Sequence, residues 1–224
     1  MALSKLTYNS FNVTPSASKA VGFGSGADDL SASLSGGSIV FIKKLTASSS
    51  ATVSFVNGSS DVVLDGTYKE YLFTFKNIHA QTNDATFKFN GSDDTSSHSY
   101  DIAKTTSYFD AYQTESATIG FGYRTAEDLA NGTGVQTVLR NLGVGNDQSA
   151  SGYLYLYAPS DTTYVKHFIG GGATYGSSDE NVNNFVGGYF NTTAAITAIQ
   201  FAMSSGNIDA GDICLYGVNL YDKK

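Results

Sequence analysis

Tryptophan is absent from this sequence of 224 residues, and cysteine and proline are nearly absent, with one and two copies. A single cysteine excludes an internal disulfide, and with it the small secreted folds that depend on such cross-links. A domain of this length buries about 70% of the surface of its unfolded chain without them. The one thiol, Cys214, stands between Ile213 and Leu215, so we expect it to be buried and unreactive.

Charge is also scarce, because Asp, Glu, Lys and Arg make up 15% of the residues and leave a net charge of −7. The basic residues form no stripe, and an acidic chain repels phosphate, so we expect no nucleic-acid partner. With so few charges, the exposed strand faces must consist of Ser, Thr, Asn and Tyr. Such a surface favours contact with protein or with sugar.

Long apolar runs are missing, and no segment approaches the ~20 residues that cross a bilayer. We therefore expect no membrane contact, and a chain that is made in a reducing cytoplasm and stays soluble there. Helical periodicity is nearly missing too. Only residues 125–130 resemble the start of a helix, with Thr125 as its cap, and one turn at most is expected.

Alternation of apolar and polar residues, by contrast, recurs along the chain, and this period of two is typical of β-strands. Asn57-Gly58 and Asn90-Gly91 each follow such a segment, and Asn-Gly is a strong signal of a hairpin turn. The sequence predicts an all-β fold, an antiparallel jelly-roll-like β-sandwich, in which residues 38–45 form a central strand and residues 209–218 a buried closing strand. The other strands are expected at residues 51–56, 68–78, 85–89, 107–112, 118–123, 135–139, 152–157, 163–169, 184–190 and 196–203.

Residues 1–37 differ from the rest, because small, polar and Gly-rich segments separate a few apolar residues. Leu6, Phe11, Val13 and Phe23 are too widely spaced to form a core, yet too apolar for a solvated tail. We expect residues 1–37 to form an extended N-terminal arm that binds its own domain or a neighbouring subunit. Residues 38–224 are expected to form the sandwich domain, and to fold without the arm.

No catalytic constellation is found in the sequence. His79, His98 and His167 form no metal-type pair with another His, Asp or Glu, and no Gly-x-Ser-x-Gly motif occurs. The acidic pairs Asp93-Asp94 and Asp179-Glu180 are expected in surface loops. We therefore expect no enzymatic activity, no metal and no cofactor.

The tyrosines give the best functional signal. Tyr153, Tyr155 and Tyr157 alternate with Leu154 and Leu156, so the two sets lie on opposite faces of one strand. If the leucines face the core, the tyrosines form an exposed ladder, and Tyr is favoured at protein contacts and stacks on sugar rings. The alternative is that both faces of this strand are packed.

Residues 209–218, DAGDICLYGV, resemble the final strand of β-sandwich proteins found on tailed-phage virions, particularly those of marine phages. The resemblance extends along the whole chain but includes no catalytic motif. It implies an accessory structural component of the virion, such as a capsid decoration, a knob, or a fibre or appendage module, and it supplies no site residues. The other segments that resemble this group are residues 1–5, 11–20, 36–40, 68–71, 164–169 and 188–196.

Two functions are therefore expected as alternatives. The first is a non-enzymatic virion protein, made in the host cytoplasm, that attaches to the particle through its arm and its sandwich faces. Its partners would be other virion proteins of the capsid or tail and further copies of itself. The second is a lectin-like module of a tail fibre or appendage that binds host-surface glycan. A glycan depolymerase is a distant third, since the sequence does not place two carboxylates across a cleft.

Overall fold

The structure is a computed structural model that describes residues 22–23, 30–31 and 38–218. The chain divides into two compact units, residues 1–37 and 38–224. In the first unit, β1 (Gly22–Phe23) pairs antiparallel with β2 (Leu30–Ser31). Phe23 therefore belongs to a short strand pair. Leu6, Phe11 and Val13 lie outside the described residues, and the extended arm stays a prediction.

In the part of the second unit that the structure describes, residues 38–218, twelve strands all pair antiparallel, which confirms the predicted all-β antiparallel class. No helix that could span a membrane occurs in the part of the chain that the structure describes. The strands are β3 (Ile39–Ser50), β4 (Thr52–Val56), β5 (Glu70–Ala80), β6 (Ala85–Ser92), β7 (Lys104–Thr114), β8 (Ile119–Tyr123), β9 (Gln136–Leu142), β10 (Ala150–Tyr157), β11 (Lys166–Gly176), β12 (Glu180–Phe190), β13 (Ala198–Met203) and β14 (Ile208–Val218).

Strand pairing in this unit is nested. β3 pairs with β14, β4 with β13, β5 with β10, and β6 with β9. The result is two runs of strands, ordered β3-β14-β5-β10 and β4-β13-β6-β9, and β11, β12, β7 and β8 extend the first run in that order. We call these the long run and the short run. One residue pair, Gly176 with Leu142, joins them into a nearly closed sheet.

Aromatic rings from the two runs meet in one core. Phe55 of the short run lies 5.3 Å from Phe73 of the long run, measured between ring centroids. Phe201, from β13, is fully buried and contacts rings of both runs in edge-on and stacked arrangements. Each such pair stabilises the fold by about 0.5–1.5 kcal/mol beyond the contribution of the apolar area that it buries. The core therefore fixes which face of each strand points inward.

Three sequence predictions about the strands are wrong. Asn90-Gly91 forms no turn but lies inside β6, where Asn90 is buried. β3 is not central, because among the described strands it pairs only with β14. Cys214 is partly exposed rather than buried, since Ile213 and Leu215 point into the core and the residue between them must point outward.

The Asn57-Gly58 prediction holds only locally. Gly58 adopts a positive φ of 77° in the turn that ends β4. That turn does not make a hairpin, because β4 pairs with β13 rather than with the next strand in the chain. Residues 125–130 contain turns and no helix.

Candidate interaction surface

The predicted tyrosine ladder lies on the face of β10 that points away from the core. Leu154 and Leu156 are 1% exposed and belong to the core, whereas Tyr153, Tyr155 and Tyr157 are half-buried on the opposite face. Neighbouring rings of the ladder lie 5.8 and 6.2 Å apart. The tyrosines are therefore accessible at their outer surface but held by one another and by the strands on either side.

Strand register continues the ladder toward the β3 edge of the long run. Tyr155 is opposite Leu72 of β5, Leu72 is opposite Tyr216 of β14, and Tyr216 is opposite Phe41 of β3. The rings of Phe41 and Tyr216 lie 5.7 Å apart in an edge-on arrangement. Phe41 itself is 58% exposed. An apolar row thus crosses four strands.

Toward the other edge, the row passes from Tyr155 to Ile169 of β11. Ile169 is opposite Gly187 of β12, and the row continues at Phe185, two residues away on the same face of β12. Phe185 is opposite Phe109 of β7, and their rings stack 5.1 Å apart. Phe121 of β8 lies 5.9 Å from Phe109 and is 75% exposed. We call the whole row the aromatic stripe, defined as Phe41, Tyr216, Leu72, Tyr153, Tyr155, Tyr157, Ile169, Phe185, Phe109, Ile119, Phe121 and Tyr123.

All the large side chains of β8 lie on this surface. Its inward positions are Gly120 and Gly122, and Gly120 leaves room for the ring of Tyr112, which a Cβ there would meet at 2.3 Å. Ile119, Phe121 and Tyr123 all point outward and are exposed. These three residues are not among the site residues predicted from sequence, although the alternation of glycine with large apolar residues over 119–123 indicates a strand with large side chains on one face.

Charge lies at the margins of the stripe rather than within it. Glu70 marks one end of β5, and the Lys44–Asp212 ion pair, 3.4 Å between nitrogen and oxygen, lies toward the other end of β3 and β14. Eight strands spaced about 4.8 Å apart make the stripe roughly 34 Å long. Aromatic residues without charge are typical of the centre of protein interfaces, and exposed patches of this kind mark interaction sites.

A buried polar cluster supports the stripe from below. The carboxylate of Asp110, beside Phe109, is fully buried and accepts hydrogen bonds from Arg124, at 2.8 Å from Nε, and from Arg140. Asn184, beside Phe185, accepts a 2.5 Å hydrogen bond from the hydroxyl of Tyr108. Burial raises the pKa of Tyr108, which stays a hydrogen-bond donor. The Tyr108–Asn184 bond joins β7 to β12 beneath the exposed rings, and the bonds of Asp110 join β7 to Arg124 after β8 and to Arg140 of β9.

An open cleft of about 540 Å³ adjoins the ladder at Tyr157. Tyr164, which is 71% exposed, and His167 line it. Asp161 fixes the loop between β10 and β11, because its Oδ1 accepts hydrogen bonds from the backbone N–H groups of Thr163 and Tyr164 at 2.6 and 2.9 Å. These hydrogen bonds lower the pKa of Asp161, so its carboxylate is charged at neutral pH.

No group of three or more His, Cys, Asp or Glu side chains suited to a metal ion occurs among the described residues.

No protein-family model matches the chain, and no curated protein or solved structure is significantly similar to it. Of the residues predicted from sequence, the three tyrosines come together in one surface. Phe23 lies in the other unit, and Leu6, Phe11 and Val13 are outside the described residues.

Proposed function

We propose that this chain is a non-enzymatic structural protein that binds other proteins through the aromatic stripe. One observation carries the proposal, which is a row of aromatic and aliphatic side chains that crosses eight strands, with one offset between Ile169 and Phe185 and with exposed rings at both of its ends. Burying the row against a partner removes apolar surface from water, at about 25 cal/mol per Å². A stripe of this length fits an interface that buries roughly 800 Å² on each partner.

The location that we propose is the surface of a tailed-phage virion, where the chain acts as a capsid decoration or knob. The proposed partners are other virion proteins and further copies of this chain. The sequence resemblance described above supports this location. We also propose that residues 1–37 form an arm that contributes to attachment through Leu6, Phe11, Val13 and Phe23.

The strand pairing supports a finer description of the fold. First-with-last pairing of β3 with β14, β4 with β13, β5 with β10 and β6 with β9 is what a rolled-up antiparallel ribbon produces. We therefore propose a jelly-roll-like β-sandwich, with β7, β8, β11 and β12 as an extension of one sheet. Jelly rolls occur in viral capsid proteins and in lectins, and the fold alone does not choose between them.

The test combines particle binding with thermal stability. In the full-length chain, Phe41→Lys with Phe121→Lys places a charge at each end of the stripe. A matched control, Val135→Lys with Val144→Lys, replaces two exposed valines that flank β9 of the short run. The stripe variant should lose co-sedimentation with virions assembled without the native protein, whereas the control should bind. Both should melt like the native chain, and equal binding by the two variants would contradict the proposal.

A second candidate, the lectin-like module of a fibre or appendage, rests on the cleft beside Tyr157. Its exposed Tyr164 and fixed loop offer a ring for stacking on a sugar, with Asp161 and His167 as polar neighbours. Nuclear magnetic resonance titration with host-surface oligosaccharides tests it. Binding that is lost in Tyr164→Ser but kept in Tyr123→Ser would favour this candidate over protein docking.

A further inference from the structure

A lysine and an asparagine meet in the interior, between the long run and the short run. Lys104 of β7 is completely buried, and Asn90 of β6 is 1% exposed. Nζ of Lys104 lies 2.7 Å from Oδ1 of Asn90 and also donates to the backbone carbonyl of Ile102 at 2.7 Å. The ring of Phe190 covers the amine, with its centroid 5.6 Å from Nζ.

This burial changes the chemistry of the amine. Lysine is almost never fully buried unless its charge is paired, and among the described residues no carboxylate hydrogen-bonds to Nζ of Lys104. Burial lowers the pKa of Lys104 to about 7, against an opposing effect of Asp101. In a large fraction of molecules Lys104 therefore carries a neutral amine at neutral pH. A neutral amine in an apolar site is a nucleophile.

The side-chain amide of Asn90 is held as a fixed electrophile. Its Oδ1 also accepts a hydrogen bond from the backbone N–H of Gly91 at 2.8 Å, and its Nδ2 donates to the carbonyl of Thr133 at 3.1 Å. The N–H of Gly91 therefore points at the oxygen on which negative charge develops when a nucleophile adds to the amide carbon. Preorganised donors of this kind stabilise tetrahedral intermediates.

We propose that Lys104 and Asn90 form an intramolecular isopeptide bond. Nζ of Lys104 adds to Cγ of Asn90, the bond from Cγ to Nδ2 breaks, and the nitrogen leaves as ammonia with a proton given up by Nζ. The atoms and electrons balance without an oxidant, a metal or a cofactor. The reaction occurs once in the lifetime of each molecule, so a slow rate is sufficient.

The bond would join strands that are not hydrogen-bonded to each other, because β6 belongs to the short run and β7 to the long run. It would thus link the two sides of the core covalently, as a disulfide bond does in other proteins. The inference does not depend on the proposed function, since it concerns groups in the interior rather than the aromatic stripe.

Mass spectrometry of the purified full-length chain tests the proposal. The intact mass is expected to be lower than the sequence mass by one ammonia. A tryptic digest should contain residues 89–124 as one peptide closed into a loop from Asn90 to Lys104, because trypsin does not cleave after an acylated lysine. Both signals should disappear in Lys104→Met. They should remain in Lys166→Met, because Lys166 is equally buried but donates only to the backbone carbonyls of Tyr164 and Thr192.

Two results would overturn the proposal. One is an intact mass equal to the sequence mass after long incubation of the native chain at alkaline pH, where the amine is neutral. The other is an ammonia loss in the native chain together with tryptic cleavage after Lys104, which would leave the Lys104 amine free and indicate a succinimide at an Asn-Gly sequence instead. The native chain answers both questions, so the test does not depend on whether a variant folds.

Discussion

The carboxylate of Asp110 is fully buried between two guanidinium groups, and its burial shows how single polar residues hold this fold together. Arg124 directly follows β8 and Arg140 lies within β9, and Asp110 raises the pKa of Arg124 through their hydrogen bond. The side chains of both arginines remain partly exposed. A buried ion pair contributes little net stability, but removal of one partner leaves uncompensated charge.

Asp110→Asn should therefore lower the free energy of unfolding by about 3–5 kcal/mol, because two guanidinium groups lose their counter-charge. The matched control is Asp212→Asn, since Asp212 binds Lys44 and Thr46 at the surface and should cost less than about 1 kcal/mol. Urea unfolding followed by circular dichroism measures both. Equal losses in the two variants would contradict the role of the buried cluster.

Tyr71 gives the chain a sensitivity to alkaline pH. Its hydroxyl donates to the carbonyl of Asp65 at 2.9 Å, and burial raises its pKa to about 12 from an ordinary value near 10. Between these two pH values the folded state keeps a proton that the unfolded chain releases. This contribution to stability is complete below pH 10 and is lost as the pH rises toward 12.

In Tyr71→Phe, that part of the alkaline loss should vanish, and stability at neutral pH should fall by about 1 kcal/mol with the lost hydrogen bond. Melting curves recorded from neutral to strongly alkaline pH measure the effect. Tyr164→Phe serves as the control, because its ring is mostly exposed. A steep alkaline loss that is unchanged in Tyr71→Phe would show that other groups dominate.

At the scale of strands, the close approach of the β7 backbone limits which side chains β12 can carry. A Cβ at Gly188 would lie 2.5 Å from the carbonyl oxygen of Thr105 and 3.0 Å from Cα of Thr106, on the neighbouring strand β7. A Cβ at Gly187, one residue earlier, meets nothing closer than the carbonyl of Phe168 at 4.0 Å. The close approach of β7 therefore requires a glycine at position 188, whereas no such contact requires one at position 187.

Gly188→Ala should destabilise the chain by about 1–3 kcal/mol or more, because the backbone of β7 must move away from β12. Gly187→Ala should be neutral or stabilising by about 0.4–1 kcal/mol, since alanine restricts the unfolded chain. Denaturant midpoints compare the two, and hydrogen exchange of the β7 amides reports the local effect. A large loss in Gly187→Ala would contradict this account.

At the scale of the whole molecule, the second unit closes by pairing its first long strand with its last. β3 and β14 lie at opposite ends of the unit in sequence, and the core that they cover extends from Ala47 to Leu215. Contacts between residues so far apart in the chain are costly to form, so folding in milliseconds to seconds is expected.

Deletion of residues 1–37 should leave residues 38–224 folded, with a melting temperature within about 3 °C of the full chain. The physical reason is that every residue of the described core lies after Ser38. Differential scanning calorimetry measures the transition in both chains. Loss of cooperative melting in the shorter chain would show that residues 1–37 contribute to the core.

The all-β class of this structure can be predicted from the sequence alone, because strand periodicity is a local property. Alternation in residues 153–157 separates Leu154 and Leu156 from the tyrosines whatever the fold, and the same rule separates Ile213 and Leu215 from Cys214. The prediction for Cys214 was wrong because it considered the apolar neighbours and not the alternation between them.

Tertiary structure alone decided which strands are neighbours, and the candidate site depends on that decision. The apolar run at residues 39–45 has the same pattern in a central strand as in β3, which lies at an edge of the described sheet. Asn90-Gly91 favours a turn locally, but hydrogen bonds from Lys104 and to Thr133 satisfy the Asn90 amide inside β6. The aromatic stripe exists only because register aligns Phe41, Tyr155 and Phe109 across strands that are distant in sequence, and no local pattern contains that alignment.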